Sequence, residues 1–215
     1  LYYYVGPSVD EFSGNTPSPA ISEEPVRLVV GGTTFVVPTN YTVFPRDRRG
    51  GVRDEVALYA FWPTLTGYTP ARRADFIENA EDTRRIDILL MERISPFSEA
   101  ERIEILYMRQ TIDSRGAQTP HGLIKYAFRD QRANVPTSGY ANSELYIGNA
   151  DDGALAALFC LDDKADIPSP ECWRQYELGS GVSVSYRFKR PYLPEWRAID
   201  SKVRALVQGF HAESE

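Results

Sequence analysis

Apolar residues in this chain alternate with polar ones far more often than they recur at helical spacing. Residues 26–30 and 33–37 are β-branched runs separated by Gly31-Gly32. A Gly-Gly pair between two such runs predicts a hairpin, because primed two-residue turns need positive φ. Val182, Val184, Tyr186 and Phe188 share one face of a later run, with Ser183, Ser185 and Arg187 on the other. Residues 173–178 precede it across Gly179-Ser180-Gly181 and predict a second hairpin. Residues 54–62 are apolar on both faces, the pattern of a central strand. Residues 85–94, 123–129, 143–147 and 154–161 read as further strands.

Helical spacing is clearest at the C-terminus. Trp196, Ile199, Val203, Leu206, Val207 and Phe210 fall on one face, while Arg197, Asp200, Lys202 and Arg204 point away. Ser98 and Glu101 have capping-box spacing and predict a helix over residues 99–112, although Ile103, Ile105 and Tyr107 also alternate like a strand. A short charged helix is expected around residues 72–79. The fold class is α+β: a mainly antiparallel sheet with hairpins, and a C-terminal amphipathic helix packed on one face.

Cys160 and Cys172 are the two cysteines of the chain, each beside apolar or aromatic residues at the ends of two strand candidates. Facing strand ends suit a disulfide, and disulfides persist in oxidising compartments. A bond between them therefore predicts an extracytoplasmic, periplasmic domain. The alternative is two buried free thiols.

The first residues are Leu1, Tyr2, Tyr3 and Tyr4, followed to residue 25 by Pro, Ser, Asn and Gly with isolated apolar residues. Tyrosine clusters sit at headgroup level beside membrane spans, and the following composition is that of a linker. The expectation is a membrane-proximal linker over residues 1–25, an anchor upstream of it, and one globular domain over residues 26–215.

Thirteen Tyr, ten Phe and three Trp suit β structure, whereas the two His leave few general bases or metal ligands. A net charge of −6 argues against a nucleic-acid partner. His121 and His211 have no nucleophile in a recognisable elbow, and no Gly-x-Ser-x-Gly occurs. Asp151-Asp152 and Asp162, Asp163 and Asp166 flank one strand, but without the spacing of a calcium loop. No catalytic residue, metal or cofactor is assigned.

The densest charge cluster is Arg46, Arg48, Arg49 and Arg53 around Gly50-Gly51. Such a loop suits an acidic partner surface, a carboxylate or phosphate, or anionic lipid headgroups. A solvated loop paired to its own carboxylates is the structural alternative. Asn40-Tyr41-Thr42 matches a glycosylation acceptor, a pattern too short to carry an argument.

The sequence Phe35-Val-Val-Pro38, the Arg-rich loop, Phe61-Trp-Pro63 with Gly67-Tyr68, the paired cysteines, and Tyr186-Arg-Phe188 leading to Glu195-Trp196 resemble uncharacterised membrane-anchored proteins of bacterial envelopes. The resemblance implies an anchored extracytoplasmic domain and brings no catalytic residues. The leading functional expectation is thus a non-catalytic domain that binds or buttresses a membrane protein or envelope complex. A periplasmic hydrolase or ligand-binding protein with a carboxylate site is one alternative, and an inhibitor or immunity-type protein is another.

Overall fold

Positive φ at Gly31 and Gly32 (51° and 78°) closes the first hairpin, β1 (Pro25–Val30) against β2 (Thr33–Pro38). The computed structural model describes residues 9–129, 143–162 and 169–212. The tyrosines at positions 2–4, the loop with Pro136, Ser138 and Gly139, and Asp163 and Asp166 lie outside the described residues. A two-residue strand, β3 (Gly51–Val52), adds parallel to β1 and completes a three-stranded sheet.

A second sheet of eight strands comprises β4 (Glu55–Phe61), β5 (Arg85–Glu92), β6 (Ala117–Gln118), β7 (Ile124–Ala127), β8 (Ser143–Asn149), β9 (Leu155–Leu161), β10 (Glu171–Leu178) and β11 (Val182–Lys189). Their spatial order is β4-β5-β11-β10-β9-β8-β7-β6, with every pairing antiparallel. Both hairpins and the α+β class agree with the sequence pattern.

The main core lies on one face of this sheet. Leu58, Ile88, Val184 and Tyr186 point there and meet the β1–β2 hairpin and the C-terminal helix, α4 (Trp196–Phe210). The α4 stripe is the expected one, with Trp196, Ile199, Val203, Val207 and Phe210 all buried. Asp200 departs from expectation: it is 2% exposed and faces the sheet, because an arginine there supplies its counter-charge. The two hairpin tips touch so closely that a Cβ on Gly31 would stand 1.9 Å from the Gly181 carbonyl oxygen. Only glycine permits that approach.

The opposite face is covered in two places. α2 (Arg73–Ile77) drops Phe76 onto Tyr59 and Tyr68, both in edge-to-face contact. α3 (Glu99–Arg102) continues as a π-helical turn to Tyr107 and a 3-10 turn to Gln110, laying Ile103 and Tyr107 on Leu145, Ile147 and Phe159. The capping box forms as predicted, with Ser98 N–H donating to Glu101 Oε2 at 2.7 Å and Glu101 N–H to Ser98 Oγ at 3.3 Å. The uniform helix expected over 99–112 does not, since its competing alternation is accommodated by changes in winding. The helix expected around 72–79 is shorter, because Glu78 already has extended backbone.

β4 corrects another expectation. It lies at the sheet edge, not the centre. Its two apolar faces arise because Phe76 and Tyr68 cover the side away from the main core. Its outer edge is covered too: Val43 N–H donates to the Ala57 carbonyl at 3.0 Å, and Ser18 N–H donates to the Val43 carbonyl at 3.0 Å. Covering in this way protects an edge from foreign strands. α1 (Val9–Ser13) opens the described chain, and the segment after it runs along this edge.

Candidate functional site

Between α2 and α3, the face of the sheet over β5, β11 and β10 is left open. Cross-strand register builds its floor. One row runs Tyr59, Asp87, Arg187, Trp173 and Phe159; the next runs Ala57, Leu89, Ser185 and Gln175. Ala57 and Ser185 are small, so the second row is a depression between taller neighbours. Phe44 and Trp173 stand at its margins, and the resulting cavity is about 440 Å³. A second lobe of about 500 Å³ lies alongside, walled by Pro17, Pro19, Tyr59, Arg73, Phe76 and Ile77. Val43 and Asp87 line both lobes and mark the saddle between them.

Packing fixes the aromatic wall. The Trp173 ring stacks on Phe159 at 5.6 Å and 18°, and Phe159 in turn meets Tyr107 edge-on at 4.9 Å. Arg187 is exposed, and its guanidinium carbon lies 5.9 Å from the Trp173 ring centroid. Asp87 is bound by Arg85 through Nε at 2.8 Å and Nη2 at 3.2 Å. Its side chain keeps 38% exposure, yet it sits on a concave floor. Burial pushes its carboxyl above the usual carboxylate range, against the opposing pull of Arg85. Tyr59 is 5% exposed, its hydroxyl has no hydrogen-bond partner among the described residues, and burial pushes that hydroxyl up to about 12.

A buried charge network stands behind this face. β9 and β10 pair over only three residues, from Cys172↔Cys160 to Arg174↔Leu158. One step further the ladder would face Ala157 with Gln175. Instead Ala157 N–H donates to Glu99 Oε1 at 2.9 Å, and the Gln175 carbonyl accepts from Arg102 Nη2 at 3.1 Å. Glu99 thus enters the gap and accepts two bonds from Arg174, at 2.9 and 2.8 Å. Arg174 Nη1 lies 2.5 Å from Asp200 Oδ1, which also accepts from the Tyr186 hydroxyl at 2.9 Å. Arg204 closes the chain at 3.2 Å from Asp200 Oδ2. Burial works against the charge of Arg174, but Glu99 and Asp200 outweigh it and keep the guanidinium protonated. These groups are inside the molecule and hold helix to sheet.

The residues singled out in the sequence are distributed differently. Cys160 and Cys172 are bonded, as directly opposed residues of β9 and β10. The arginine loop folds inward. Asp47, fully buried, lies 3.4 Å from Arg53 and 3.7 Å from Arg46. Arg48 bonds Thr42 Oγ1 at 2.9 Å and the Ser18 carbonyl, Arg49 bonds the Ser13 carbonyl, and Arg46 bonds Asn15 Oδ1 at 3.1 Å. The four arginines therefore share one loop, and Arg46, Arg48 and Arg49 tie the stretch from Ser13 to Ser18 to the body of the fold. Asp152 accepts from Ala154 N–H at 3.0 Å, ordinary turn chemistry, and also pairs with Arg204 at 3.3 Å. The His121 carbonyl accepts from Trp196 Nε1 at 3.0 Å. Asn40 is 4% exposed and packed against Gly67.

Sequence reading missed the open face itself. Its signal was the polar side of two strands, Ser183, Ser185 and Arg187 on one and Asp87 on the other, which alternation identifies but does not place together. Among the described residues no helix is long and apolar enough to cross a membrane, and no group of three or more His, Cys, Asp or Glu is arranged to hold a metal.

No protein-family model matches the chain, and no curated protein matches it in sequence. Among solved structures it is similar to Smlt3025, an immunity protein of the Stenotrophomonas maltophilia type IV secretion system. The likeness has a TM-score of 0.58 at 18% identity and covers 89% of this chain and 95% of that one. At this identity the comparison establishes a shared fold.

Proposed function

We propose that this protein is a non-catalytic, immunity-type domain that acts in the periplasm by binding and neutralising an effector protein. The observation that carries the reading is the open sheet face, where a rigidly stacked Trp173 and an exposed Arg187 border an apolar depression. Tryptophan and arginine dominate binding energy at protein interfaces, and an anchor already held in place costs little ordering entropy on association. Two further facts favour the reading. The fold is shared with an immunity protein over nearly the whole of both chains, and the internal disulfide suits an oxidising compartment.

The test is protection. The chain is exported to the periplasm of a bacterial host that also exports a candidate effector encoded beside this gene. Restored growth, together with a stoichiometric complex on size exclusion, is the expected result. Continued killing by every such candidate, with no complex formed, would reject the immunity reading.

A further inference from the structure

The chain is acidic overall, with a net charge of −6, yet the two-lobed groove is not. Arg73, Arg85 and Arg187 line it against a single acid, Asp87. Asp87 is already engaged by Arg85. Arg73 forms no hydrogen bond or ion pair among the described residues, and Arg187 has only its ring contact with Trp173. Two guanidiniums therefore stand uncommitted, one at each lobe. Tyr59 also lines the second lobe, and its buried hydroxyl has no hydrogen-bond partner among the described residues.

In the first lobe the apolar lining is built from large side chains. Leu89, Met91, Phe44 and Trp173 line it, and Arg187 sits at its margin. The lobes share the Val43–Asp87 saddle, so one short segment can reach both. Resting on the effector-binding reading, we infer that the groove receives an exposed effector segment in which a large apolar side chain neighbours a carboxylate. The apolar side chain fills the depression over Ala57 and Ser185, where Trp173 supplies one wall. The carboxylate enters the second lobe, where Arg73 provides the charge. Arg187, at the margin of the first lobe, attracts acidic sequence around the apolar side chain. Charge complementarity of this kind sets specificity and association rate more than total affinity.

The probe is a phage-displayed library of random linear peptides, selected on the full chain with its disulfide intact. The expected result is enrichment of peptides that place an acidic residue close to a large apolar one. Their binding should weaken roughly tenfold in Arg73→Glu and in Arg187→Glu, the loss of one charge-assisted contact. Both positions are exposed, so the variants should melt with the wild type. Ser185→Phe fills the apolar lobe without removing either arginine or adding charge and should weaken the same peptides. Enriched peptides lacking acidic residues, binding unchanged in all three variants, or no enrichment would overturn the inference. The growth assay separates the two claims: if the three variants protect as well as wild type, the groove is not the contact while the immunity reading stands. If acidic peptides bind the groove and protection still fails, the effector reading falls while the groove's preference for an apolar residue beside a carboxylate stands.

Discussion

Trp173 and Arg187 are directly opposed on β10 and β11, and the indole carries the guanidinium on its outer face. On the same row, Arg187 is also opposite Asp87. The carboxylate is taken by Arg85 from its own strand, two residues away, which leaves Arg187 on the ring. That division of partners is what keeps a cation available beside the depression. A cation–π contact at an exposed site contributes about 0.5–1 kcal/mol, little enough to be exchanged for a carboxylate from outside.

Replacing Arg174 by Met should be among the most damaging single changes. It leaves Glu99 and Asp200 facing each other's vicinity without the guanidinium that bonds both. Breaking a buried pair by removing one partner costs about 3–5 kcal/mol. Urea denaturation should show a lower midpoint with an unchanged slope. A midpoint equal to wild type would mean that the network contributes nothing to stability.

Trp196→Ala removes the largest fully buried side chain of α4 together with its bond to the His121 carbonyl. The expected cost is about 3–5 kcal/mol. Thermal melting measures it, and an unchanged transition would place this helix face outside the core.

Alkylation under denaturing, non-reducing conditions should label neither Cys160 nor Cys172. On chain-entropy grounds, a bond closing so short a loop stabilises the fold by roughly 3 kcal/mol. Reduction should therefore lower the melting temperature. Labelling of both thiols without reductant would remove the argument for an oxidising compartment.

Acid should act through Glu144. Burial raises its carboxyl, but bonds from Lys125, Arg190 and Tyr146 outweigh this and hold it below the ordinary value of 4.5. A depressed carboxyl contributes stability above its unfolded value and loses it as pH falls through the folded one. Wild type should therefore weaken as pH drops below about 4.5, and Glu144→Gln should flatten that part of the curve. Parallel pH profiles for the two proteins would show that Glu144 is not the acid-sensitive group.

Changing Arg48 and Arg49 together to Gln should loosen the N-terminal stretch, since their bonds to Ser18 and Ser13 hold it. Limited proteolysis should cut faster between residues 9 and 24, while the melting temperature falls by only a few degrees. Unchanged cleavage would assign the hold on this stretch to Val43 and Asn15 instead.

Local signals made much of the fold legible. Gly31-Gly32 announced its turn because only positive φ closes it, and the α4 stripe announced itself because helical spacing persists over fifteen residues. β4 misled for a physical reason: apolar residues on both faces mean cover on both faces, and cover by Phe76 and Tyr68 looks the same in sequence as a place at the centre of a sheet. Asp200 misled because its partner, Arg174, lies on a strand that pattern alone cannot bring near. The groove was illegible for the same reason. Ala57, Leu89, Ser185 and Gln175 come from four strands, and only register places them side by side.

The short β9–β10 ladder turns one broad sheet into two four-stranded leaves joined along a narrow seam, β4-β5-β11-β10 on one side and β9-β8-β7-β6 on the other. The covalent bond lies within that seam, and the Glu99–Arg174 clasp sits just past its end. Oxidation therefore does more here than shorten an unfolded chain. It rivets the leaves at the place where backbone pairing is thinnest, while the common core under α4 holds both. On reduction, hydrogen exchange should show protection falling first along the β9–β10 seam, a redox-sensitive line through what the topology draws as a continuous sheet.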